Sequence, residues 1–235
     1  MKVIRRLGFW GIAGAICFAG SAFASVNMTL TGVGAGFAMG GVYLSPYVAS
    51  INGASTYVIC DDFLTDVSVG DSWTANQYSL SDVGSGGPQK FTTPAWSPYT
   101  IQQEYGAAAI LAEDVMANMG NGTLAGEYSF AIWTLFDPAA INGYGGNSLT
   151  GAQQTAVNSF RTTALAQAAG GGAAGLNVAI YTPTPLNASQ EYLVVNTPEA
   201  SLAATLGVEL LALVGVMFLM RRRLVRVRAQ GAHAA

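Results

Sequence analysis

The chain carries one histidine, His233, close to its end. That scarcity removes the Ser-His-Asp and Cys-His relays of nucleophilic catalysis and the usual histidine-containing zinc sets. Cysteine is nearly as rare, at Cys17 and Cys60. Cys17 lies in an N-terminal apolar stretch, so the body of the chain has a lone thiol and no internal disulfide. Basic residues are missing from the same body. Between residues 25 and 197 only Lys90 and Arg161 stand against eleven Asp and Glu, a balance of −9 that the whole-chain value of −3 conceals. A surface of that sign repels phosphate backbones and excludes nucleic acid as a partner. No P-loop is present, and "GVGAGFAMGG" lacks the preceding strand and following helix that a dinucleotide-binding glycine run requires. "CDDFLTDVSVGD" groups Asp61, Asp62, Asp66 and Asp71 without the spacing or turn glycine of a calcium loop, and reads as solvated acids at a strand edge. No cofactor, metal site or enzymatic activity is expected.

What is present is concentrated first at the two ends. Lys2, Arg5 and Arg6 precede an apolar run from Leu7 to Gly20, followed by Ala22-Phe23-Ala24. A positive start, a short apolar core and an A-x-A site make residues 1–24 a secretory signal peptide, cut by signal peptidase after Ala24. At the other end, Leu202–Met220 is an apolar run close to the ~20 residues a bilayer core demands. Arg221, Arg222, Arg223, Arg226 and Arg228 follow it. Basic flanks stay cytoplasmic, so a transmembrane helix over 202–220 places the body outside the cytoplasmic membrane. Glu209 is the one charge within the run.

Between them, 25–197 is one domain's worth of chain. Alternation in "GVYLSPYVASINGASTYVIC" predicts paired strands over Val42–Ser50 and Thr56–Phe63, turning at Asn52-Gly53. "DVSVGDSW" adds a turn and strand, and "SDVGSGGPQK" a polar loop. Helical spacing of Ile101, Tyr105, Ala108, Ala112 and Val115 predicts a helix from Tyr99 to Met119, stopped at Gly120-Asn121-Gly122. "AGEYSFAIWTLFDP" is a second, closed by Pro138, with Phe130, Ile132, Trp133 and Phe136 as core. Thr150 caps a third, Gly151 to Ala169. "LNVAIYTP" and "QEYLVV" are closing strands. The fold class is α+β: a β-rich body with a helical insert.

Pro198-Glu199, the apolar helix and Arg221-Arg222-Arg223 together resemble the PEP-CTERM sorting signal of Gram-negative bacteria, here spanning 198–228. Ala200 stands where that family usually carries a second proline. The resemblance implies recognition by an exosortase-type membrane enzyme, cleavage near Pro198-Glu199, and a link to exopolysaccharide and biofilm matrix. "VYLSPYVASINGASTYVICDDF", "YGAAAILAEDVMAN" and "FAIWTLFDP" resemble a recurrent ectodomain of such proteins, itself similar to the thioester domains of bacterial surface adhesins. In those domains a strand cysteine is linked to a glutamine just before an A-I-W segment. Cys60 matches the cysteine, and Ala131-Ile132-Trp133 the A-I-W segment, but the glutamine position falls on Ser129. Serine has no carboxamide and forms no acyl bond, so the resemblance implies a scaffold with a vestigial site at Cys60 and Ser129.

Three functional readings follow. The first is an exported, membrane-anchored or exosortase-processed surface or matrix protein, structural or adhesive, meeting membrane lipid and exopolysaccharide. The second is a covalent adhesin joining Cys60 to an unexpected glutamine, with Gln102 and Gln103 the candidates. The third is a carbohydrate-binding module stacking sugars on Tyr43, Tyr47, Trp73, Trp96 and Tyr99.

Overall fold

The computed structural model describes residues 23–93 and 96–196. The expected 202–220 helix, together with Ala22, Pro198, Glu199, Arg221, Arg222 and Arg223, lies outside them. Among the described residues no helix is long and apolar enough to cross a membrane.

Among the described residues eight strands and three α-helices follow one another as β1 (Ala24–Gly32), β2 (Ala38–Met39), β3 (Val42–Tyr43), β4 (Tyr47–Ile51), β5 (Ala54–Cys60), β6 (Ser72–Ser79), α1 (Ile101–Ala117), α2 (Gly122–Phe136), α3 (Gly151–Ala169), β7 (Val178–Thr184) and β8 (Tyr192–Val195). Six strands close into an antiparallel barrel in the order β1-β4-β5-β8-β7-β6. The expected hairpin forms about Asn52-Gly53, whose positive φ angles of 49° and 88° suit the tight turn matching strand twist. It is shorter than the alternation suggested. Val42–Tyr43 leaves the barrel to pair with Ala38–Met39 in a small ribbon, and the chain enters β4 only after Pro46, which has no N–H to donate to a ladder. At the other end β5 stops at Cys60, because the Asp62 carboxylate accepts from the Leu64 and Thr65 N–H groups and turns the chain.

The α+β reading holds, with strands, helices and strands in that order. α3 spans the expected residues, its first turn fixed by reciprocal bonds between Thr150 and Gln153. Asn121 does more than stop α1: its side chain accepts from Leu124 N–H and starts α2. Gly106 and the run of alanines after it let α1 lie close to α3, where a Cβ on Gly106 would stand 3.3 Å from Ala168 Cβ.

Alternation separates two apolar clusters on either side of the sheet wall. Val26, Met28, Leu30, Tyr47, Val58, Cys60, Trp73, Ala75, Tyr181 and Tyr192 share one, inside the barrel. Ile59, Tyr78, Ile180 and Leu193 face the other way and join Tyr105, Leu111, Phe130, Ile132 and Trp133 of the helices. The strands β7 and β8 are therefore buried on both faces, which accounts for their near-continuous apolar sequence.

Gly34 ties the loop after β1 to the entry of β4. It has φ +58°, and a Cβ there would stand 1.8 Å from the Pro46 carbonyl oxygen. Gly34→Ala is expected to cost about 1–3 kcal/mol in urea denaturation, from the left-handed backbone and the contact together. Unchanged stability would mean that the two loops separate freely.

Candidate functional site

Cys60 is the last residue of β5 and lies opposite Tyr192 of β8. Its side chain points into the barrel, where Tyr192 stacks on Trp73 at 5.7 Å between ring centroids and meets Tyr47 edge-on. The thiol is completely buried and donates to the Asp62 carbonyl oxygen at 3.1 Å, while its own N–H donates to Ser45 Oγ at 3.1 Å. Burial, reinforced by the Asp62 and Asp61 carboxyls, pushes the thiol well above its ordinary range and keeps it protonated. The Trp133 indole N–H faces the same sulfur without reaching hydrogen-bonding geometry.

Ser129, on α2 one turn before Trp133, is buried, and its hydroxyl donates to Ala125 O at 2.7 Å within its own helix. Gln102 and Gln103 are not brought to Cys60. Gln103 caps α1 through Thr100, and both line a separate groove beside Ala168 and Ala173. The carboxamide that does approach the thiol is Gln190. Its Nε2 donates to the Asp62 carbonyl oxygen at 3.2 Å, the same oxygen that accepts from Cys60, and its Oε1 accepts from Tyr192 hydroxyl at 2.9 Å. Sequence reading missed Gln190 because only the Cys60–Tyr192 register, with Gln190 two residues before Tyr192, discloses it.

Behind the thiol lies a polar cluster that corrects the expectation of solvated acids. Asp61 and Asp62 are buried; Asp66 and Asp71 are exposed. The reason is pairing: β5 does not end at a sheet edge, because β8 lies alongside it and Asp61 N–H reaches Glu191 O. Lys90 donates to the Asp62 carboxylate, to Thr65 Oγ1 at 2.9 Å and to Ser189 O at 2.8 Å. Glu191, also fully buried, receives the hydroxyls of Tyr105, Thr182 and Tyr78 and the Lys90 N–H at 3.0 Å. No donor reaches either Asp61 carboxyl oxygen, and the one hydrogen-bonding neighbour of the carboxyl is Glu191. Burial first, then the neighbouring Glu191 and Asp62 charges, push its carboxyl well above the usual range. Burial raises Glu191 as well, but the donors of Thr182, Tyr105 and Lys90 offset part of that rise, so of the two carboxyls Asp61 holds its proton more tightly.

A cavity of about 630 Å³ opens at the mouth of the barrel. Its walls come from the ribbon (Tyr43), the barrel rim (Tyr47), the loop after β5 (Asp62, Phe63, Asp66), α2 (Trp133), the turn at Tyr144, and Gln190. Of the five aromatics proposed for stacking, the fold brings Tyr43 and Tyr47 here. Trp73 is inside the barrel, Trp96 lies under the Arg161 guanidinium at 5.1 Å, and Tyr99 packs half-buried against the helical core.

No protein-family model matches the chain, and no curated protein matches it. Among solved structures it is similar to the N-terminal thioester domain of fibronectin-binding protein SfbI from Streptococcus pyogenes. Identity is 13% and the TM-score 0.41, over 74% of this chain and 93% of that one. Ala24, the expected last residue of the signal peptide, is the exposed first residue of β1, pairing with Gln77.

Proposed function

We propose that this chain is an exported surface or matrix protein with a structural or adhesive role and no catalytic turnover. Signal peptidase releases Ser25, the 202–220 helix holds the body outside the cytoplasmic membrane in contact with its lipid, and an exosortase-type enzyme processes the chain near Pro198-Glu199, leaving it at the cell surface or secreted. Exopolysaccharide is the partner this reading favours. The layout of the two ends supports the location. The observation that carries the role is the contrast within the body: the lone thiol is sealed and protonated, while an aromatic cavity beside it stands open. Such a body is equipped to hold a ligand rather than to turn one over. Deleting 197–235 is expected to move the protein from the envelope into the medium. Unchanged fractionation would sink the reading. Intact mass from the native envelope should run from Ser25 to a point near Thr197.

The convergence of Cys60 and Gln190 on one carbonyl oxygen favours a second reading, a covalent adhesin. The Cys60 sulfur attacks the Gln190 carboxamide carbon, the C–N bond breaks, and ammonia leaves with the thiol proton. The Tyr192 hydroxyl, already on Oε1, would stabilise the developing oxyanion. The protein would then be lighter by one ammonia and would gain one methylamine on treatment. An unmodified mass that methylamine does not change disposes of it.

A further inference from the structure

We propose that the barrel-mouth cavity binds an amino sugar, a pyranose ring bearing a free ammonium. The inference deepens the adhesive reading and rests on it only for where such a ligand is met. At about 630 Å³ the cavity is of a size that takes a compact organic ligand. Tyr43 and Tyr144 stand on its rim, 55% and 54% exposed. Neither sits on loose backbone. Tyr144 N–H donates to Gly40 O at 2.7 Å, and the Tyr47 hydroxyl donates to Tyr43 O at 2.7 Å. Exposed rings gathered around one concavity mark an interaction site, and their faces suit both the C–H face of a sugar and a cation.

Charge selects between ligands. The Asp62 carboxylate is matched by Lys90. Asp66, also in the wall, has no ion pair among the described residues. Arg161 is engaged over Trp96 and is not part of the lining. Among the described residues the cavity therefore presents an uncompensated carboxylate and no available cation, which disfavours uronates, sulfates and phosphates and favours an ammonium. Ser68 and the Gln190 side chain supply polar wall for ring hydroxyls, while Trp133 contributes apolar wall, its indole N–H being turned to the Cys60 sulfur. A slender alkylammonium would leave most of that volume and those groups unused.

The test is calorimetric titration of the detergent-solubilised full chain with glucosamine oligomers, N-acetylglucosamine oligomers and Nα-acetyl-lysine amide. The glucosamine oligomers are expected to bind, with both competitors weaker by about fivefold or more. Asp66→Asn should weaken glucosamine binding by a similar factor and flatten its salt dependence, and Tyr144→Ala should weaken both oligomers. Equal binding of the acetylated oligomer removes the ammonium from the assignment and overturns it. Equal binding of the lysine amide overturns the sugar. No binding of any probe, with deletion of 197–235 still releasing the protein, overturns the ligand and leaves the surface reading intact.

Discussion

Replacing Glu191 with alanine is expected to remove most of the stability of the body. The side chain is fully buried and accepts from Tyr105, Thr182, Tyr78 and the Lys90 N–H, groups brought from α1, β7, β6 and the loop before α1. Alanine leaves those donors facing a void. Each buried donor left without an acceptor costs about 1–3 kcal/mol, and a domain of this kind has only about 5–15 kcal/mol in total. Glu191→Gln keeps one acceptor oxygen and much of the shape, so its loss should be smaller. Urea denaturation followed by tryptophan fluorescence separates the two. If Glu191→Ala melted within about 1 kcal/mol of the parent, the cluster would be dispensable and water would be filling it.

The second large effect concerns pH. Asp61 is buried with no donor to its carboxyl oxygens, and the groups around it are Glu191 just before β8, Asp62 next to it, Tyr78 on β6 and Tyr105 on α1, with Lys90 committed to Asp62. Its folded carboxyl keeps the proton to a pH well above that of the unfolded chain, about 3.9. Stability from a group raised in this way is complete below the unfolded value. It falls as pH climbs toward the folded value and is constant beyond it. This is the reverse of ordinary acid denaturation. Asp61→Asn is neutral and nearly the same shape, so it removes this part of the slope. The variant should be more stable than the parent at neutral pH, by a margin that widens as pH rises from about 4. Parallel stability curves for the two proteins would show that Asp61 ionises freely in the fold.

The elements of this fold were legible where local chemistry decides them. Asn52-Gly53, the Thr150 cap and the Pro138 stop all act within a few residues. The turn of the hairpin, the start of α3 and the end of α2 follow from the sequence, whereas the outer ends of the hairpin strands do not. Closure of the barrel was not legible, because it depends on β8 returning between β5 and β7, far along the chain. The burial of Asp61 and Asp62 was hidden for the same reason: an acid looks solvated until the strand that covers it is known. Gln190 belongs with these. Cys60 and Ser129 could be singled out one at a time, whereas the carboxamide that shares the Asp62 carbonyl with the thiol is defined by register alone. The cavity combines both cases, for Tyr43 and Tyr47 were visible as aromatics, while Tyr144 and Trp133 join them only in three dimensions.

The position of β8 also governs how the body would carry tension. The strand runs from Tyr192 to Val195 between two antiparallel neighbours, and the chain leaves it at Asn196, whose N–H is held by Asn177 O. A body tethered through the segment that follows takes any external pull along the axis of this strand. The load then shears the β5 and β7 ladders together instead of peeling one bond at a time. At the far end of the strand Glu191 acts as a bolt, since sliding β8 out would drag its carboxylate away from Tyr105, Thr182, Tyr78 and Lys90 in one step. The residue that sets thermal stability is thus also the one that would set the rupture force of a tethered molecule.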